Sequence, residues 1–267
     1  MTLGLRADRL CARHAGSDFD ALRDVTVRVE PHEILALVGP NGSGKSTLLS
    51  ALGREIRARE GVVSLDGVDI RSISRRAYAR RVARLPQSPE TPEGLTVEAL
   101  VGYGRNPHKG PLASQSSRDR EAVARALDQV ELSGHRSRPL DQISGGERRR
   151  AWLGMVLCQE PDIMLLDEPT VALDLRHQWE LLELLVRLNE ERGMTVVLSL
   201  HDLEQAASVA HRMVVLVRGR VYEVGSIDSA LTPEMLLDVF RVDAAVDHTN
   251  DFTQVHVRGP GDPLRAF

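Results

Sequence analysis

The stretch Ile34-Leu35-Ala36-Leu37-Val38-Gly39-Pro40-Asn41-Gly42-Ser43-Gly44-Lys45-Ser46-Thr47-Leu48-Leu49-Ser50-Ala51-Leu52 decides how this chain folds. Its first five residues are an unbroken apolar run, the pattern of a strand covered on both faces. Thr47 to Leu52 opens a helix. Between them, Gly39 to Ser46 matches G-x-x-x-x-G-K-[ST] in the strand–loop–helix setting that the motif requires. Glycines let the backbone curl until successive N–H groups point at one set of phosphate oxygens. The helix N-terminus adds a favourable dipole. In such a loop Lys45 bridges the β- and γ-phosphates and the Ser46 hydroxyl ligates Mg²⁺. At ordinary glycine usage a chain of this length gives a chance match about 1% of the time. Of the 34 basic residues, 32 are Arg and only Lys45 and Lys109 are Lys. The two cations are not interchangeable at a tight phosphate site, so a lysine kept here is itself informative. A nucleoside triphosphate is the expected ligand, held by Gly39, Pro40, Asn41, Gly42, Ser43, Gly44, Lys45, Ser46 and Thr47.

Outward from this loop the chain alternates strand and helix. Val25–Val29 alternates as a half-buried strand, and Val62–Leu65 runs into the turn Asp66-Gly67. Between about Gln87 and Glu160 the texture changes to a mainly helical insert. Pro86, Pro89, Pro92, Pro107 and Pro111 break its first part around a helix at Thr96–Gly102, and Arg118–Leu132 carries helical spacing. Strand and helix then alternate again: Ile163–Leu166, His177–Glu191, Thr195–Ser199 and Leu203–Ala210. Val214–Val217 and Arg220–Val224 form a hairpin about Arg218-Gly219. Pro233–Phe240 is read as a helix, and the polar tail carries two short alternating stretches, Val242–Val246 and Gln254–Val257.

Two further segments carry chemistry. Ile163-Met164-Leu165-Leu166-Asp167-Glu168 is an apolar strand ending in two acids, and such a strand delivers them to the sheet edge that holds the phosphate loop. There Asp167 can hold Mg²⁺ through water and Glu168 can act as general base toward the attacking water. Ile143-Ser144-Gly145-Gly146-Glu147-Arg148-Arg149-Arg150 leads into a helix over Ala151–Leu157. Ser-Gly-Gly at a helix start is a second anion-binding nest. It reads either as a capped helix with a solvated arginine run or as a nest that serves a neighbouring copy of the chain.

Composition excludes several classes. The 267 residues can bury a core without staples, and 34 basic against 38 acidic residues give a net charge of −4, against wholesale coating of nucleic acid. Cys11 and Cys158 form no metal or disulfide framework, which fits a reducing compartment. No apolar run approaches the roughly 18–20 residues that cross a bilayer. Met1–Asp8 lacks a signal-peptide core, so a membrane role is expected through a partner.

Taken in order, these segments resemble the ATP-binding subunit of an ABC transporter over nearly the whole chain. Ser144-Gly145-Gly146-Glu147 matches the family signature, with Ile143 where Leu is usual and Glu147 where Gln is commonest. Gln87, in Arg84-Leu85-Pro86-Gln87, matches the Q-loop; Val171-Ala172-Leu173-Asp174 matches the D-loop, with Val171 for the usual Ser; His201 matches the switch histidine. His14 stands at the position of the adenine-stacking aromatic, with Phe19 as the other candidate, and an imidazole stacks with less area. Weaker stacking could relax the preference for ATP over GTP.

The resemblance implies an α/β P-loop core with an antiparallel β subdomain and a helical subdomain inserted between Q-loop and signature. It implies an ATP-binding domain over 1–240, its helical part at about 88–160, and a short extension over 241–267. It implies an ATPase that uses ATP and Mg²⁺, with Glu168, His201 and Gln87 catalytic and Ser46, Gln87 and Asp167 at the metal. Two copies pair head to tail, each phosphate loop facing the partner's Ser144, Gly145, Gly146 and Glu147, with Asp174 in the D-loop. The expected setting is the cytoplasmic face of the cell membrane. There the pair binds integral permease subunits, meets a substrate-binding protein only indirectly, and binds no nucleic acid.

Val97–His108, Arg149-Arg150-Ala151-Trp152 and Ala172–Gln178 are similar to the importer branch for ferric siderophores, haem and vitamin B12. In that branch the surface after the Q-loop receives the permease, and Arg105 and Lys109 are expected to meet it. The alternatives are an exporter ATPase or a soluble ABC ATPase of iron–sulfur assembly or DNA repair. The segment from Gln87 to Ser144 is too short and too Pro-broken for the coiled coil of the repair proteins.

Overall fold

The computed structural model describes residues 4–13, 19–87, 89, 94–110, 115–248 and 253–261. One sheet is antiparallel and contains β1 (Leu5–Ala12), β2 (Leu22–Val29), β4 (Glu60–Leu65) and β5 (Val68–Asp69), in the order β2-β1-β4-β5. A second has six strands: β3 (Ile34–Val38), β6 (Val82–Leu85), β7 (Ile163–Asp167), β8 (Thr195–Ser199), β9 (Arg212–Val217) and β10 (Arg220–Ser226). Their order is β10-β9-β3-β8-β7-β6, and all neighbours are parallel except the β9–β10 hairpin.

The apolar runs have a simple cause. Successive side chains of a strand point to opposite faces, and both faces of the six-stranded sheet are covered. Ile34, Ala36 and Val38 of β3 join one core, while Leu35 and Leu37 join the other. Strand β7 divides in the same way, with Met164 and Leu166 on one side and Ile163 and Leu165 on the other. Helix α1 (Lys45–Leu52) lies in the second core against β1, β7 and β8, anchored by Leu48, Leu49 and Leu52. The first core is roofed by α3 (Val97–Tyr103), α4 (Ser117–Gln129), α5 (Gly145–Cys158), α6 (Leu175–Arg192) and α7 (Leu203–Val209).

Helices α3, α4 and α5 pack on one another. Thr96 caps α3, and Ser116 with Asp119, and Ser144 with Glu147, close capping boxes on α4 and α5. Arg105 is 2% exposed and sits among these helices, its guanidinium 3.0 Å from Asp119 and 2.9 Å from both Glu160 and the Cys158 carbonyl. The expectation that Arg105 meets a partner is therefore wrong: a charge this deep is tolerated only because carboxylates and a carbonyl satisfy it. Lys109 is half-buried, and its carbonyl accepts from Arg76.

Helix α2 (Arg75–Arg81) and strands β1, β5 and β6 are additions to the elements read from sequence. The expected helix over Pro233–Phe240 is broken into α9 (Pro233–Met235) and a π-helical turn over Leu236–Phe240, after a single turn α8 (Ile227–Ala230). The two alternating stretches of the tail pair as a separate antiparallel hairpin, β11 (Val242–His248) with β12 (Thr253–Pro260). It packs on α7, where the Val255 N–H donates to Glu204 at 2.9 Å. Among the described residues, no helix is long and apolar enough to cross a membrane.

Candidate active site at the carboxyl edge of the parallel sheet

Four parallel strands end at one edge, and each delivers a motif there. Strand β3 runs into the loop Gly39–Gly44, β7 into Asp167 and Glu168, β8 into Ser199 and then His201, and β6 through Pro86 to Gln87. This is the edge at which parallel sheets bind ligands. The cleft there has a volume of about 480 Å³ and is lined by 41–47, Ala21, Gln87, Glu168 and His201.

The loop's backbone needs its glycines. Gly39 (φ +143°) and Gly44 (φ +110°) lie where L side chains are strained. A Cβ at Gly39 would collide with the Leu216 carbonyl, and one at Gly44 would lie 2.9 Å from the Ala21 carbonyl and from Leu22. The loop is braced from outside its own motif. The Gly219 N–H, in the β9–β10 turn, donates to the Ser43 carbonyl at 2.9 Å, and Arg23 N–H donates back to Gly219 at 2.7 Å. The Ser43 hydroxyl is buried without a hydrogen-bond partner among the described residues, an orphan polar group within the loop. Lys45 is 5% exposed and its Nζ donates to the carbonyls of Gly39 at 2.7 Å and Pro40 at 3.2 Å. Burial pushes its ammonium below the ordinary value, and the charges of Glu168 and Asp167 oppose that shift. These features fit a phosphate chain.

Asp167 is 1% exposed, and its Oδ1 accepts from Ser46 Oγ at 3.0 Å and from Ser199 Oγ at 2.8 Å. A hydroxyl and a carboxylate side by side at a phosphate loop suit Mg²⁺, a hard ion that takes one or two protein oxygens and fills its octahedron from phosphate and water. Among the described residues no cluster of three or more His, Cys, Asp or Glu side chains forms a metal cage. The Ser46 hydroxyl beside the Asp167 carboxylate fits a metal that takes its other ligands from nucleotide and water.

Glu168 is 6% exposed, with its backbone in the left-handed region at φ +47°. Its N–H donates to Ser199 Oγ at 2.8 Å. Its Oε2 accepts from Gln87 Nε2 at 2.5 Å, and its Oε1 lies 2.5 Å from His201 Nε2. The structure thus brings together Gln87, Glu168 and His201, the three residues expected to act on the γ-phosphate. Gln87 presents its amide nitrogen to Glu168, so its carbonyl oxygen is the atom left for a metal. Two further residues at the site, Arg84 and Arg149, carry no signal in the sequence. Arg84 lies 3.4 Å from Asp167 Oδ2, and Arg149 donates to the carbonyls of Asp167 and Glu168 at 2.8 Å each. Arg149 stands within the arginine run and Arg84 three residues before Gln87, and neither pattern marks the residue as buried.

The remaining expected residues lie elsewhere. Ser144, Gly145, Gly146 and Glu147 are absent from the lining of the cleft in a single chain. Ser144 instead caps α5, and Glu147 accepts from the Ser144 N–H at 2.8 Å, which holds its carboxyl below the ordinary range. Asp174 caps α6, accepting from the His177 N–H at 2.9 Å and standing 2.7 Å from its ring. His14 lies outside the described residues, and Phe19 is 76% exposed.

Residues 22–171 match the family described as ABC transporter. The chain is 41% identical over 225 residues to the iron(3+)-hydroxamate import ATP-binding protein FhuC of Bacillus subtilis, covering 84% of each chain. It is 40% identical to the ferric enterobactin transport ATP-binding protein FepC of Escherichia coli, over 83% of this chain and 82% of that one. It is 44% identical to the hemin import ATP-binding protein HmuV of Streptomyces coelicolor, over 82% and 77%. Among solved structures it superposes on an inward-facing ABC transporter described as of metal-chelate type, at a TM-score of 0.81 and 27% identity over 96% of this chain and 98% of that one. It also matches a dimeric bacterial ABC transporter cassette at a TM-score of 0.75 and 26% identity, over 84% and 98%. With the phosphate loop, the acidic strand end and His201 joined at one edge, the chain belongs to the ABC transporter family, as an ATP-binding subunit that hydrolyses ATP with Mg²⁺.

Proposed function

We propose that this chain powers the import of a metal chelate, a ferric siderophore above all, through a separate membrane permease. The observation that carries the reading is the agreement of its relatives: FhuC, FepC and HmuV, each at 40% identity or more, are named for iron(3+)-hydroxamate import, ferric enterobactin transport and hemin import. Two copies pair head to tail on the cytoplasmic face, and the substrate-binding protein is met only through the permease. The pairing is supported by the signature lying outside the chain's own cleft and by the likeness to a dimeric cassette.

In each site Lys45 and the N–H groups of 41–47 hold the phosphates, and Ser46, Asp167 and Gln87 hold the metal. Bound Mg²⁺ there supplies charge neutralisation on the phosphate oxygens. Glu168 takes the proton from water as its oxygen bonds to the γ-phosphorus, the bond from that phosphorus to the β–γ bridging oxygen breaks, and ADP leaves with inorganic phosphate as the second product; His201 orients the carboxylate from 2.5 Å. The partner's signature closes the other side of the phosphates. Residues 1–240 act as the ATP-binding domain, with the helical part at about 88–160 carrying motion to the permease, and 241–267 as an extension of it.

The test is co-purification of tagged Glu168→Gln chain from detergent-solubilised source membranes with Mg-ATP, read by mass spectrometry. A polytopic permease of the iron-chelate type is expected. Recovery of soluble proteins or nucleic acid alone would overturn the transport reading and leave the ATPase intact.

A further inference from the structure

Arg149 is 8% exposed, yet among the described residues it pairs with no carboxylate. Its guanidinium is spent on backbone carbonyls instead. Nη1 donates to Pro86 at 3.0 Å and Gln87 at 2.6 Å, Nη2 to Asp167 and Glu168 at 2.8 Å each, and Nε reaches Pro169 at 3.4 Å. Burying a cation costs several kcal/mol unless every donor is met. An apolar residue would fill the same space without that cost, so the fork of five donors is what the position uses. Its acceptors come from two segments, Pro86-Gln87 and Asp167-Glu168-Pro169. Its own helix, α5, is capped one turn earlier by Ser144 of the signature.

We propose that Arg149 is a positioning residue that ties the signature helix to Glu168 and Gln87 of the same chain, and so couples the two ATP sites of a pair. The inference rests on the head-to-tail reading. A neighbouring copy's nucleotide fixes Ser144, Gly145 and Gly146, and α5 moves as one rigid element. Arg149 carries that position to the carbonyls of Asp167, Glu168 and Pro169, and these bonds, with the one from the Glu168 N–H to Ser199 Oγ, hold the Glu168 backbone at φ +47°. Displacing a reacting group by about 1 Å costs on the order of 10²-fold in rate. The coupling is reciprocal, as any linkage between sites must be.

The test compares wild type, Arg149→Lys and Arg149→Met, each alone and with Glu168→Gln. It reads steady-state and single-turnover ATP hydrolysis, equilibrium Mg-ATP binding, pairing by sedimentation and thermal unfolding. A lysine keeps the charge but cannot span five carbonyls, and it decides the matter alone if the methionine variant does not fold. Expected for Arg149→Lys is a kcat about 10- to 100-fold lower with ATP affinity within about threefold, and a Hill coefficient falling from near 2 toward 1. In the Glu168→Gln background the same change costs less than about threefold, because it acts through Glu168. Three outcomes each overturn the proposal. One is a kcat within threefold of wild type at an unchanged Hill coefficient. Another is an equal loss in both backgrounds. The third is a loss of ATP binding and thermal stability together, the mark of a packing role. A wild-type chain that hydrolyses ATP without pairing refutes the head-to-tail reading itself, and the sedimentation arm identifies that case separately.

Discussion

Replacing Glu168 by Gln removes one charge and one acceptor while keeping shape, so its consequences can be worked out atom by atom. The backbone at 168 is held by Ser199 Oγ and by Arg149, and neither contact involves the carboxylate. Gln87 can still donate to the carboxamide oxygen, and the side chain remains in its buried slot. Fold stability should therefore change little. ATP binding should also persist, since Lys45, Ser46 and the loop N–H groups are untouched. What is lost, on the proposed mechanism, is the base: a carboxamide cannot take a proton from water, and His201 Nε2 faces a neutral group in place of the carboxylate Oε1 that lies 2.5 Å away. General-base catalysis is worth about 10²–10⁴ in rate, or roughly 2.7–5.4 kcal/mol of barrier at 1.36 kcal/mol per tenfold. The assay is phosphate release at saturating Mg-ATP beside equilibrium binding of the same nucleotide. Turnover within about fivefold of wild type, with binding intact, would refute the assignment of Glu168 as base.

Lys45→Ala should weaken Mg-ATP binding by about 10- to 100-fold, the worth of a charged hydrogen-bond donor, as read by calorimetric titration; unchanged affinity would contradict the phosphate-loop geometry. Asp119→Asn, which strips the buried Arg105 of a charge partner, should lower stability by about 3 kcal/mol in urea unfolding, offset in part by Glu160. The Ser116 hydroxyl, with Arg105, holds the Asp119 carboxyl well below its usual range. A depressed folded value means that its contribution is complete above the unfolded value of about 3.9 and is lost as pH falls further. The gap between wild type and Asp119→Asn should hold steady from pH 8 to 5 and close below pH 4. Burial pushes the Cys158 thiol up to about 11, so iodoacetamide should label Cys11 before Cys158 in the native chain; labelling of both at equal rates would show the helical layer open.

The nucleotide site was readable in sequence because its parts are local: a phosphate loop is contiguous, and so is an acidic strand end. The two-sided apolar strands were readable for the same reason. The unread parts depend on what lies across space. Strand β1 is interrupted by Arg6, Asp8 and Arg9, and its register shifts after Ala7, where Arg9 takes φ +47°. Helix α2 buries only Tyr78, which leaves no period to read. Arg105 and Arg149 look like surface arginines in a chain rich in arginine. Only the fold shows that one is enclosed by Asp119 and Glu160 and the other by five carbonyls. The brace of Gly219 on the phosphate loop joins residues 176 positions apart, beyond the reach of any local pattern.

The central claim is that a complete catalytic site needs two chains, the cleft of one and the signature of the other. Sedimentation of the Glu168→Gln chain with and without Mg-ATP, beside the same chain carrying Ser144→Arg, tests it most directly. The account predicts a particle of two 29.5 kDa chains with Mg-ATP, one chain without it, and one chain in either condition once Ser144 is replaced. A chain that binds Mg-ATP and still sediments as a single 29.5 kDa particle would contradict it.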